Sequence, residues 1–228
     1  MVNVKFNVGC TRTCYFTKNQ VAKVNAGIAI FEKVVSSTNF KERVVDFNWT
    51  TPSGTTYNRF LLCNGMSNTQ VWNSLETGCD WGTMTNTPST NINVVPCGST
   101  TEMTWVANAP VPTICINTNV LNNTWYTPVH FACSLIHEYC VNLGFSCHVN
   151  GRLVEDWHCT VPAACADICC DIAREMSMSD TDMSTYFRWI DTANFDYFAC
   201  TTCYHVEGYE TNWLLTNTKI DEVINSMC

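Results

Sequence analysis

Sixteen cysteines constrain this 228-residue chain more than any other feature: Cys10, Cys14, Cys63, Cys79, Cys97, Cys115, Cys133, Cys140, Cys147, Cys159, Cys165, Cys169, Cys170, Cys200, Cys203 and Cys228. An even number spread over the whole length reads as a disulfide framework made in an oxidising compartment, which places the chain outside the cell. Structural zinc is the competing use of so much cysteine. It calls for paired C-x-x-C knuckles, and only Cys200-x-x-Cys203 has that spacing. No βαβ pattern precedes that pair, so a structural role suits it better than a redox one. All sixteen are therefore disulfide candidates, for up to eight bonds. Cys133 and Cys140 fall in one expected helix, about 10 Å apart and beyond each other's reach. Adjacent Cys169 and Cys170 must find separate partners.

With 46% of its residues hydrophobic, the chain can bury a substantial core. Charged residues are only 14%, against roughly 25% in soluble domains generally, so Asn, Thr and Ser must supply much of the polar surface. The net charge is −8, with 20 acidic and 12 basic side chains and no basic run. Such a surface repels a phosphate backbone, which argues against nucleic acid as a partner. No apolar stretch approaches the roughly 18 residues of a membrane span. Met1-Val2-Asn3-Val4-Lys5-Phe6 lacks the charged-then-apolar layout of a signal peptide, so export implies a signal already removed or another route. Two N-x-S/T sequons, Asn48-Trp49-Thr50 and Asn122-Asn123-Thr124, fit secretion.

Along the chain, Val2, Val4, Phe6 and Val8 alternate with polar residues as in a half-buried strand. Thr17-x-x-Gln20 is a capping box, and Val21, Val24, Ile28, Phe31 and Val35 then follow at helical spacing. Val44–Trp49 and Tyr57–Leu62 read as strands around Pro52-Ser53-Gly54, and Ser67-x-x-Gln70 opens a short helix ending near Gly78. Residues 79–100 read as a long loop anchored by Cys79 and Cys97, with strands expected over Met103–Ala107 and Thr113–Val120. Thr127-Pro128 starts a helix that carries His137-Glu138 and stops at Gly144. Thr160-x-Pro162 starts another, with Cys165, Ile168, Cys169, Ile172 and Met176 on one face, and weaker helical stretches lie near 183–190 and 218–227. The sum is an α+β fold: strand, long helix, small mixed sheet, then the helix bearing His137-Glu138.

The chemistry-bearing segment is His137-Glu138-Tyr139-Cys140-Val141-Asn142-Leu143-Gly144-Phe145-Ser146-Cys147-His148. In the helical signature His-Glu-x-x-His, residues four apart share a face, both imidazoles reach one metal, and the Glu acts as general base on the metal-bound water. The extended form adds a glycine turn and a third His. On these residues the chain resembles the metzincin-type zincins, particularly small bacterial metallopeptidase-like proteins with a His-Glu-Trp-x-His-x-x-Gly-Phe-Gly-His-Asp core. The likeness also rests on Ile116-Asn117-Thr118-Asn119, Tyr126-Thr127-Pro128 and Thr160-Val161-Pro162-Ala163, together with Phe40-Lys41-Glu42-Arg43-Val44 and Gly65-Met66-Ser67-Asn68-Thr69-Gln70-Val71. It covers residues 1–176 as one zincin-like domain, leaving 177–228 as a C-terminal helical, disulfide-bonded extension.

The resemblance implies His137 as first metal ligand and Glu138 as general base, but puts Val141 at the second ligand position and Cys147 at the third. Val141 cannot bind metal. Cys140, Cys147 and His148 are possible substitutes for zinc, and His158 lies in the following loop. His130, one face-repeat before His137, reads as a packed or surface histidine. A methionine turn beneath the metal would fall at Met178 or Met183. The expectation is a catalytically inactive, metallopeptidase-like extracellular protein, a pseudoenzyme used as a disulfide-stabilised structural, assembly or binding module. It needs no cofactor, and it pairs with an extracellular protein or with itself. The alternative is an active zinc metalloendopeptidase with a non-standard ligand set built on His137 and Glu138.

Overall fold

The computed structural model describes residues 2, 4–10, 14–50, 53–78, 91–97, 103–105, 112–145, 148–149, 152–153 and 160–176. They form a mixed α and β fold around a small four-stranded sheet.

The sheet begins with β1 (Lys5–Val8), where alternate residues Phe6 and Val8 are half-buried. The chain then enters α1 (Lys18–Val35) through the expected capping box. Thr17 Oγ1 accepts from Gln20 N at 3.3 Å, and Gln20 Oε1 accepts from Thr17 N at 2.8 Å. Val24, Ile28, Phe31 and Val35 are buried as their spacing requires, while Val21 is only half-buried. Gly27 is buried in the same face because α6 crosses there. A Cβ added to it would stand 2.8 Å from Phe131 Cβ.

Four segments depart from the sequence expectation. The strand foreseen over Val44–Trp49 begins inside a helix, and only Asn48 and Trp49 of it are extended: α2 (Thr38–Val45) starts at Ser37, whose Oγ accepts from Phe40 N at 3.1 Å, and it buries Phe40 and Val44 four residues apart. Only β2 (Asn48–Thr50) remains extended, antiparallel to β3 (Thr56–Asn58). The strand foreseen over Tyr57–Leu62 likewise turns helical. Asn58 caps α3 (Arg59–Asn64) by accepting from Leu61 N at 3.1 Å, and Gly65 closes it at φ 67°. Downstream, α4 (Asn68–Thr77) has the expected capping box and ends at Gly78 in the left-handed region.

The third departure is the largest. β4 (Asn91–Cys97), expected within a loop, is an interior strand of the sheet. Its Ile92 and Val94 are fully buried, and it pairs in parallel with β1 on one side and β6 (Thr113–Asn117) on the other. β5 (Met103–Trp105) adds an antiparallel edge on β6. The strand foreseen over Thr113–Val120 stops at Asn117, whose Oδ1 accepts from Asn119 N at 2.9 Å and opens the one-turn α5 (Thr118–Leu121).

A helical layer covers the sheet. α6 (Pro128–Asn142) and α7 (Val161–Met176) pack on one another and on α1. Phe31 of α1 joins Phe6 of β1 edge-to-face at 5.0 Å and Tyr139 of α6 at 6.2 Å, and Tyr139 Oη donates to Leu75 O at 3.1 Å. Of the face expected on α7, Cys165, Ile168, Cys169 and Ile172 are buried, but Met176 in the last turn is exposed. Between α6 and α7, β7 (His148–Val149) and β8 (Arg152–Leu153) pair antiparallel. Among the described residues no helix is long and apolar enough to cross a membrane. The extension over 177–228, with Cys200, Cys203, Cys228, Met178, Met183 and its two expected helices, lies outside the described residues, as do Cys79, Cys147, His158 and Cys159.

Candidate functional site

α6 starts where the sequence says it should. Thr127 is its N-cap and Pro128 its first residue, and the left-handed Gly144, at φ 84°, follows its end. The third position carries His130 in place of the usual Glu or Gln. Thr127 Oγ1 accepts from His130 N at 3.3 Å, and it meets His130 Nδ1 at 2.9 Å. The imidazole stacks at a 28° tilt on the ring of Tyr126 at 6.1 Å and stands edge-on to Trp125 at 6.3 Å. Burial in this aromatic enclosure pushes its pKa from 6.5 down to about 3, so it is neutral at physiological pH. His130 is a packed, capping histidine.

The signature lies two turns further on. From His130 to Asn142 every side chain is buried except Ser134, His137, Glu138 and Val141. Their spacing of three, one and three residues puts all four on a single helical stripe. The positions matched to the first ligand, the base and the second ligand thus share the one face of α6 that reaches towards solvent. Burial pushes His137 from 6.5 down to about 4, and its Nδ1 is shielded from water, so the ring is neutral, the form that binds metals. One turn on, Val141 offers two methyl groups where a second imidazole would stand. Cys140 does not join the stripe. It is fully buried in the core cluster, so its three-residue spacing from His137 does not place both on one open face.

Cys147 lies outside the described residues, and so does the side chain of His148, whose backbone belongs to β7. Among the described residues, no three His, Cys, Asp or Glu side chains come together in a way that could hold a metal ion. Of the donors a closed or catalytic zinc site requires, α6 presents one imidazole.

Among the described residues two cysteine pairs lie at disulfide distance, each with a Cα–Cα separation of 5.6 Å. Cys97–Cys115 ties the neighbouring strands β4 and β6. Cys133–Cys170 staples α6 to α7, so Cys170 has a partner that adjacent Cys169 does not share. Cys10 is exposed and Cys14 half-buried, while Cys165 and Cys169 carry no disulfide among the described residues. Burial pushes the Cys169 thiol up, with neighbouring Cys165 adding to the effect, so it stays protonated; its Sγ lies 4.0 Å from Ala132 O. Of Cys63, on α3, the side chain lies outside the described residues.

Sequence reasoning missed the polar clamps that position the site. Gln20 Nε2 donates to Thr118 O at 3.1 Å and Asn122 Oδ1 at 2.8 Å, and Lys23 Nζ donates to Leu121 O at 2.7 Å and Asn123 O at 3.0 Å. These two side chains of α1 hold α5 and the turn that feeds α6. Asn68 Nδ2 similarly holds the α2–β2 turn through Val45 O, Phe47 O and Asn48 Oδ1. Their contacts span 20 to 102 residues of sequence, and no local pattern signals them. Set against known proteins, the chain matches no family model, no curated protein and no solved structure.

Proposed function

We propose that this chain is a catalytically silent, metallopeptidase-like extracellular protein, used as a disulfide-stabilised structural, assembly or binding module. The observation that carries the reading is the stripe on α6. It retains His137 and Glu138 at the open face but sets Val141 at the position a second ligand needs. A metal held by one imidazole would be too weakly bound to lower the pKa of a water for attack on a peptide. The zincin-like reading draws on the signature together with the element order strand, long helix, small sheet, signature helix. The staple Cys133–Cys170 supports it further, since it ties the signature helix to the later helix α7, as a metal ion ties its helix to later chain in a working site.

Glu138, half-exposed beside His137, is the observation that keeps the active reading in play: a zinc metalloendopeptidase completed by Cys147 or His148. The test is cleavage of a diverse peptide mixture by the full chain with added zinc, read by mass spectrometry against the Glu138→Gln variant. The silent reading expects the same absence of products from both. Zinc-dependent cleavage that Glu138→Gln abolishes would overturn it.

A further inference from the structure

The two sequons differ in what the fold does with them. In Asn48-Trp49-Thr50 the acceptor and Thr50 are exposed too, but they lie within strand β2, directly after the buried Phe47 and paired along the β2–β3 hairpin. Its Oδ1 accepts from Asn68 Nδ2 at 3.1 Å, and the Thr50 hydroxyl meets the Thr56 hydroxyl across the hairpin at 3.1 Å. Both polar ends of that sequon are engaged within a β-ladder. In Asn122-Asn123-Thr124 all three residues are exposed, on the turn between α5 and α6. Asn122 uses its Oδ1 to accept from Gln20 Nε2 at 2.8 Å, which fixes the carboxamide with its oxygen towards α1 and its nitrogen, Nδ2, away from that contact. Lys23 holds the backbone carbonyls on both sides, at Leu121 and Asn123. The acceptor nitrogen therefore sits on a turn that is open to solvent yet clamped from below by a long helix.

We infer that Asn122 is an N-glycosylation site, the modified one of the two sequons, and that its glycan stands on the rigid α5–α6 turn beside the start of the signature helix. The inference rests on the extracellular reading, because the transfer occurs in the secretory lumen. The donor is a lipid-linked oligosaccharide diphosphate. A bond forms between Asn122 Nδ2 and C1 of the first sugar, the bond from C1 to the diphosphate oxygen breaks, and the lipid diphosphate leaves with the electron pair. Nδ2 gives up one proton and keeps the other. Oδ1 keeps its lone pairs, so the bond from Gln20 survives the modification. The fold thus accommodates the glycan without losing the clamp.

The test expresses the full chain behind a secretion signal in a eukaryotic cell and maps sites by enzymatic deglycosylation in heavy-oxygen water, which marks each former glycan site as labelled aspartate. The expected result is label at Asn122, retained in Asn48→Gln and lost in Asn122→Gln. Thr124→Ala removes the sequon hydroxyl without touching the Gln20 contact and should lose the label as well, while Thr124→Ser should keep it. An added sequon made by Ser53→Asn, on the exposed turn Ser53-Gly54-Thr55, reports whether the chain met the transferase. Label at that control with none at Asn122, or label at Asn48 instead, would overturn the site assignment. A chain that carries label at the control but is retained in the lumen as misfolded protein would overturn the extracellular reading on which the assignment stands.

Discussion

The two halves of α6 obey different rules. Its first half is tied down on every side: His130 completes the cap inside an aromatic enclosure, Phe131 seats on Gly27 of α1, and Cys133 is stapled to Cys170 of α7. Its second half carries Tyr139 and Cys140 into the core but turns Ser134, His137, Glu138 and Val141 towards solvent as a half-buried stripe. Each half contains one desolvated, neutral histidine seven residues from the other. One is explained by packing and capping. The other stands where a metal site would need it, without its partner one turn on. A signature can persist in a sequence while the fold assigns its stability to residues elsewhere on the same helix.

That contrast predicts a gradient of effects. Removing the staple with Cys133→Ala and Cys170→Ala frees a loop of separation 37 in the unfolded chain and should cost about 4 kcal/mol, read as a lowered urea midpoint. An unchanged midpoint would dissolve the distinction between the halves.

Acid acts next. Folded His130 ionises near pH 3 and the unfolded residue near 6.5, so between those values the unfolded state binds the extra proton. Stability from this residue is complete above pH 6.5 and should fall by roughly 3 kcal/mol on going down to pH 4. His137 acts with the same sign between 6.5 and about 4, with a smaller share because its pKa is pushed down less far. Urea midpoints across this range should flatten most in His130→Gln and less in His137→Gln. Equal flattening would break the comparison.

Gly27→Ala sets a methyl group against buried Phe131. Overpacking of about 1–3 kcal/mol outweighs the helix-propensity gain of about 1 kcal/mol, leaving a net loss near 1 kcal/mol in thermal or urea unfolding. Glu138→Gln, on the open stripe, should change stability by no more than about 0.5 kcal/mol. A larger loss would assign Glu138 a structural role.

Much of this helical frame was legible locally. Thr17-x-x-Gln20, Ser67-x-x-Gln70 and Thr127-Pro128 each place a hydroxyl where orphan backbone donors need it, and each cap forms in the structure. β4 was not legible. Asn91-Ile92-Asn93-Val94-Val95-Pro96-Cys97 carries two asparagines and a proline, which read as loop chemistry, and its strand state depends on parallel partners far away in sequence. Pro96 is tolerated because β1 pairs only as far as Val94, so β4 has a single neighbour there. α2 and α3 escape the sequence reading because β-branched and aromatic residues such as Val44, Val45 and Phe60 favour strands, whereas the caps at Ser37 and Asn58 decide otherwise. At the site, the stripe's membership followed from helical spacing. That Cys140 belongs to the core depended on how α6 packs against α1 and α7.

On the proposed reading the signature helix survives as architecture and does not hold a metal. The most direct measurement is zinc content per chain by elemental mass spectrometry, on protein purified without chelator or a metal-affinity tag, for the native sequence and His137→Ala. Zinc should stay far below stoichiometric in both, before and after incubation with the ion. Near-stoichiometric zinc in the native sequence that disappears in His137→Ala would contradict that reading.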